Sequence, residues 1–241
     1  MRRLPCLLTL LVLLLPGCLE MEQAVVLGPD GSGRQSVAFS LRESALAEVQ
    51  KASQAAQLGA ATNPGALFDK ELVEKSLAEV GLTLSKHSTK REAGRRSVEL
   101  EATFADFATL QKSPLCGSAA QWVLTRGPRE GTAKLTLYPQ GRTAWLEAGA
   151  KAETMGNGAD PVADEFFRKR KASLENMDVV VRFEVPGDVL VWTRNLEKTG
   201  DREVTARVTA AKIQTPGDLV RWLAPRFEVI FDATGCKLPL Q

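Results

Sequence analysis

His87 and Tyr138 are the only histidine and the only tyrosine in this chain of 241 residues. A single imidazole leaves little material for a histidine base paired to a nucleophile, or for a zinc site built from several histidines. Aromatic residues make up 6% of the chain, and Trp122, Trp145, Trp192 and Trp222 stand well apart, which weakens the case for an aromatic-lined sugar groove. An excess of one charge is missing too. The 31 basic and 29 acidic residues nearly cancel, and without Arg2 and Arg3 they balance at 29 each. A balanced chain lacks the electrostatic footprint of a nucleic-acid binder. GxSxG and SxxK are absent. Gly156-Asn157-Gly158 lacks the third glycine and the preceding strand of a dinucleotide loop. Asp164, Glu165 and Asp232 read as helix-start and surface acids, and His87 as a surface or partly buried polar residue on a strand over 82–89. The expectation is a protein that is not an enzyme, with no cofactor and no metal.

What is there begins at the N-terminus. Arg2 and Arg3 precede an apolar core over 7–15 interrupted only by Thr9. That core is too short to span a bilayer and has the length of a secretory h-region. Leu15-Pro16-Gly17-Cys18 resembles the lipobox of bacterial lipoproteins, in which the cysteine thiol receives a diacylglycerol and becomes the mature N-terminus. Residues 1–17 are therefore read as a signal peptide and Cys18 as the lipidation site. Two or more acyl chains make a lasting anchor where one does not. Leu19, with no acid after the cysteine, resembles Gram-negative sorting to the outer membrane, facing the periplasm. No later segment approaches eighteen uninterrupted apolar residues. Cys6 leaves with the signal peptide, so Cys116 and Cys236 remain as an even pair in an oxidising compartment. A disulfide between them is expected, worth roughly 4–5 kcal/mol for a loop of more than about a hundred residues. The alternative is two buried thiols acting as small apolar side chains.

Along the mature chain, period-two strands alternate with capped helices, which predicts an α+β fold: an antiparallel sheet with helices packed on one face. The residues divide into portions over 18–150 and 151–241, as two subdomains or one continuous domain. A hairpin is predicted from residues 21–27 and 34–42 around Asp30-Gly31-Ser32-Gly33, with Val37, Phe39 and Leu41 on one face. Val98, Leu100, Ala102 and Phe104 alternate in the same way, as do Val179, Val181, Phe183 and Val185. Asn63-Pro64 opens a helix to about Val80 with Phe68, Leu72, Leu77 and Val80 inward. Further helices are predicted over 44–58 and about 160–176. Thr103 with Asp106, and Thr215 with Asp218, have the spacing of capping pairs.

Two segments are candidates for binding. Phe166-Phe167-Arg168-Lys169-Arg170-Lys171 sets aromatic bulk beside four cations on a predicted helix. Its basic face suits anionic lipid headgroups, with a phenylalanine entering the interface; alternatively the phenylalanines belong to the core and the cations are solvated. Trp222 sits on the helix capped by Thr215, at a spacing that suits packing. The order of a lipobox, the hairpin of Val25 to Phe39, helices, Val185-Pro186-Gly187 and a closing strand-helix-strand resembles the LppM-like bacterial lipoproteins. That resemblance implies a lipid-binding type of α/β fold and transfers no site residues. The leading expectation is a non-catalytic, lipid-anchored envelope protein that acts as an interaction or assembly module with a protein partner. A carrier or sensor of lipid-like ligands is the second, and a hydrolase the third. The first predicts an exposed apolar or charged patch, the second an apolar cavity between sheet and helices.

Overall fold

The computed structural model describes residues 20–46, 64–117, 119–155, 164–165, 167–169, 175 and 177–240. Strand β1 (Glu20–Leu27) turns back into β2 (Gly33–Arg42) through Gly31 at φ 88°. The Asp30 carboxylate holds that turn by accepting from the N–H and the hydroxyl of Ser32. The next hairpin joins β3 (Thr83–Glu92) to β4 (Arg95–Phe104) through Ala93 and Gly94, both at positive φ, as a type I′ turn requires. β5 (Gln121–Arg126) and β6 (Thr132–Tyr138) form a third. The remaining strands are β7 (Asp178–Glu184), β8 (Val189–Trp192), β9 (Glu197–Gly200), β10 (Glu203–Thr209) and β11 (Phe227–Asp232).

These strands make two sheets, and the fold is α+β as expected. The larger has the order β3-β4-β2-β1-β7-β10-β9 and is antiparallel except where β1 runs parallel to β7. The smaller, β5-β6-β11-β8, is antiparallel throughout. Each sheet takes strands from both sides of residue 150, which itself lies inside a helix, Arg142–Met155.

The inward residues read from the alternation are buried: Val37, Phe39 and Leu41 on β2, Val98, Leu100, Ala102 and Phe104 on β4, Val181 and Phe183 on β7. They share one core with Trp122, Leu135, Phe227 and Phe231 of the smaller sheet. The Phe183 ring lies 6.0 Å from Trp122 and 5.8 Å from Phe227, so one side chain joins the two sheets. The opposite face of the larger sheet is wet and carries cross-strand ion pairs, including Arg182–Glu22, Arg95–Glu20 and the two-point Arg207–Asp178 pair. Gly187 lies so close to β11 that a Cβ there would come within 1.8 Å of the Asp232 carbonyl oxygen.

Two helices depart from expectation in where they begin. The long helix predicted from Pro64 is instead a 3-10 turn, Pro64–Phe68, followed by α1 (Lys70–Ala78). Asp69 is the reason: it takes an extended conformation, and its carboxylate accepts from Leu72 N–H at 3.1 Å, starting a new helix. Phe68 and Leu77 are buried as expected and Val80 is partly buried, but Val73 is buried in place of Leu72, which faces outward. Thr103 caps nothing; it stays in β4, and Asp106 itself caps α2 (Phe107–Leu110) by accepting from Thr109 N–H at 2.7 Å. Those bonds hold the Asp106 carboxyl below its ordinary pKa. α3 is Arg142–Met155 and α4 is Pro216–Leu223, the latter opened by the reciprocal Thr215–Asp218 capping box that the sequence predicts. Of the predicted helix over 44–58, residues 44–46 are helical and the rest lies outside the described residues.

Candidate functional site

Among the described residues, two concavities and one exposed strand stand out. The larger concavity, about 630 Å³, lies between α3, α4 and the segments 193–195 and 224–226. Arg194, Arg221 and Arg226 line it together with Trp145 and Trp222. Its position follows from backbone ties: Thr193 N–H donates to the Glu228 carbonyl at 3.0 Å, Glu228 N–H donates to the Thr193 hydroxyl at 3.2 Å, and the Asn195 amide donates to the Arg226 carbonyl at 3.0 Å. The segments bearing Arg194 and Arg226 are thus pinned to each other. The Arg226 guanidinium stacks 4.8 Å from the centre of Trp145, whose ring also leans on Tyr138 at 5.5 Å. Among the described residues, Asp218 is the single carboxylate of the lining, and its Oδ2 is engaged by Thr215.

The smaller concavity, about 270 Å³, is apolar, with Leu67, Leu72, Val73, Leu77, Pro114 and Leu115 among its walls. Beneath Leu115 lies a buried polar node. Gln23 Nε2 donates to the Leu115 carbonyl at 2.7 Å, Gln35 Nε2 donates to Cys116 Sγ at 2.8 Å, and Ser113 Oγ donates to Gln35 Oε1 at 2.5 Å. Gln23 and Gln35 occupy inward positions on β1 and β2 and were missed as functional or structural residues, although both sit in phase with valines.

The expected Cys116–Cys236 disulfide is not present; both thiols are free. Cys116 ends the 3-10 turn Pro114–Cys116 and accepts from Gln35, while Cys236 follows β11 in a turn closed by its own N–H to the Ala233 carbonyl. Burial pushes the Cys116 thiol up to about 12, with the Gln35 bond opposing. Cys236 is raised by desolvation and by Asp232, against Arg202. The groups acting on one thiol do not act on the other, so each occupies its own environment.

Phe167 is buried with Val208, Ile213 and Leu219, so it belongs to a small core rather than to a membrane interface. Arg168 and Lys169 are exposed, and Lys169 pairs with Glu165 at 2.8 Å. Phe166, Arg170, Lys171 and Cys18 lie outside the described residues. His87 is half-buried on β3, its Nε2 sharing a hydrogen bond with the Leu67 carbonyl at 2.9 Å. Trp222 is half-buried, packed on both core clusters and lining the larger groove. Strand β8 sits at the edge of the smaller sheet with Leu190 46%, Val191 55% and Trp192 38% exposed. Among the described residues, no helix is long and apolar enough to cross a membrane, and no three His, Cys, Asp or Glu side chains form a group that could hold a metal.

No family model matches the chain, and no curated protein matches it in sequence. Among solved structures, the NMR structure of the folded domain of LppM from Mycobacterium tuberculosis is similar to it at 9% identity and a TM-score of 0.46. The match covers 90% of this chain and 91% of that one.

Proposed function

We propose that this protein is a non-catalytic lipoprotein of the cell envelope, held at the outer membrane through acylated Cys18, whose folded part docks a protein partner. The exposed run Leu190-Val191-Trp192 on the edge of a sheet carries this reading. Edge strands are normally blunted with charge, and three consecutive exposed apolar residues there favour association. The carrier reading has less support. The apolar concavity of about 270 Å³ falls short of the several hundred that a lipid-sized ligand needs, and the larger groove is cationic.

A photo-crosslinking residue at Val191, in cells of the native host, tests the docking reading. The expected result is one discrete adduct with an envelope protein, absent when the probe sits at exposed Glu99 on the wet face of the larger sheet. Equal and diffuse labelling from both positions would overturn it. Cys18→Ala is expected to release the protein from membranes, and its retention would overturn the anchor.

A further inference from the structure

We propose that the groove between α3, α4 and residues 193–195 binds a phosphomonoester, the group shared by soluble polyol phosphates and by phosphatidic acid. This inference stands on the groove alone and does not rest on the docking of a partner at β8. Among the described residues, three guanidinium groups from separate segments line one concavity, against a single carboxylate. Arg221 Nη1 is 3.9 Å from Asp218 Oδ1, while Asp218 Oδ2 is taken up by the Thr215 N–H at 3.0 Å and hydroxyl at 2.8 Å. Arg194 is exposed and has no carboxylate partner among the described residues. The lining thus keeps an excess of about two positive charges, which matches the charge of roughly −1.5 to −2 that a phosphomonoester carries at neutral pH. A carboxylate or a phosphodiester supplies only one.

The chemistry of the donors points the same way. Guanidinium forks bond phosphate oxygens two at a time, and gathering like charges in a groove costs free energy that an anion recovers. The site is also built in advance. Arg226 is stacked on Trp145, and the 193–195 and 226–228 segments are tied by the three hydrogen bonds described above. Little side-chain and loop freedom then remains to be lost on binding. The volume of about 630 Å³ exceeds what one phosphate fills, and Trp222 with Ala148 and Gly149 offers an apolar wall for the carbon skeleton that bears it.

The experiment titrates the full acylated chain, held in amphipol, with four probes and reads heat and tryptophan fluorescence. The probes are glycerol 3-phosphate, dihexanoyl phosphatidic acid, and their diester counterparts dimethyl phosphate and dihexanoyl phosphatidylglycerol. Saturable binding of at least one monoester, about tenfold or more tighter than its diester, is expected. In Arg194→Gln/Arg221→Gln that binding falls by about tenfold or more, with the thermal transition unchanged because both side chains are exposed. Tighter binding of dihexanoyl phosphatidic acid than of glycerol 3-phosphate identifies a lipid headgroup as the source; equal affinity identifies a soluble phosphate. Absence of saturation for both monoesters, no preference over the diesters, or binding untouched by the double substitution would each overturn the proposal.

Discussion

Phe183→Ala removes the side chain that joins the two sheets, and its cost can be worked from the core. Phe183 is 2% exposed, with Trp122 on one side and Phe227 on the other. Truncating a buried phenylalanine costs about 3–5 kcal/mol through lost transfer energy and the cavity left behind. Two aromatic neighbours place this site near the top of that range, since tilted and edge-to-face pairs add to simple burial. The expected loss is therefore about 4–5 kcal/mol, a large share of the 5–15 kcal/mol typical of a whole protein. At roughly 2–4 °C per kcal/mol for a chain of this size, Tm falls by roughly 8–20 °C. Equilibrium denaturation, followed by far-UV circular dichroism and by tryptophan fluorescence, measures it. Both signals should move together to a lower midpoint with an unchanged slope, because both sheets share the core that Phe183 completes. A loss below about 1.5 kcal/mol would refute the role given to this ring. Separation of the two signals into distinct transitions would refute a shared core.

The other predictions concern the buried polar node beneath the small concavity. Alkylation of the native protein near pH 8 is expected to modify Cys236 and spare Cys116 until denaturant is added, since the Cys116 thiol is buried and stays protonated far above that pH. Rapid native labelling of Cys116 would contradict its placement. The same thiol links stability to alkaline pH. Its folded pKa, about 12, exceeds the ordinary 9.0, so the unfolded chain gives up this proton first as pH rises. The stabilisation is complete below pH 9 and is lost between pH 9 and about 12. Cys116→Ala should flatten that alkaline fall, and an identical pH profile would show the thiol is not its source. Gln35→Ala leaves Ser113 Oγ and Cys116 without their partner and should cost about 1–3 kcal/mol by urea denaturation, while a change under about 0.5 would show that the node is not sealed from water.

Strand alternation was legible because burial on one face of a sheet repeats every two residues: β2 and β4 bury the residues that the pattern nominates, and β7 buries Val181 and Phe183 while Val179 is half-buried. The helix expected from Asn63 begins later for a local reason: Pro64 and Asp69 are both competent to start a helix, and the Asp69 bond to Leu72 decides where it begins. The second sheet was invisible because its central pair, β6 with β11, joins segments about 90 residues apart, and nothing in either strand encodes its partner. The larger groove was hidden for the same reason. Arg194, Arg221 and Arg226 come from a β8 exit, a helix and a linker, each ordinary in isolation. The cysteine pair was inferred from number and compartment, whereas the structure gives each thiol separate neighbours. Gln23 and Gln35 did carry a signal, as amides at positions that alternation reserves for apolar side chains.

The parallel pairing of β1 with β7 also governs how the chain reaches this fold. β1 lies inside the larger sheet, but one of its two edges is satisfied only by residues 178–184, some 160 positions later. If the chain is exported as proposed, that edge stays open until residues 178–184 have followed it across the membrane. β6 waits in the same way for β11. A chain with two such long-range closures folds late, after most of it has been delivered, and spends that interval with unpaired edges that other chains can capture. Folding in this protein is set to follow the arrival of its C-terminal third, and truncations within that third should yield aggregates rather than smaller folded units.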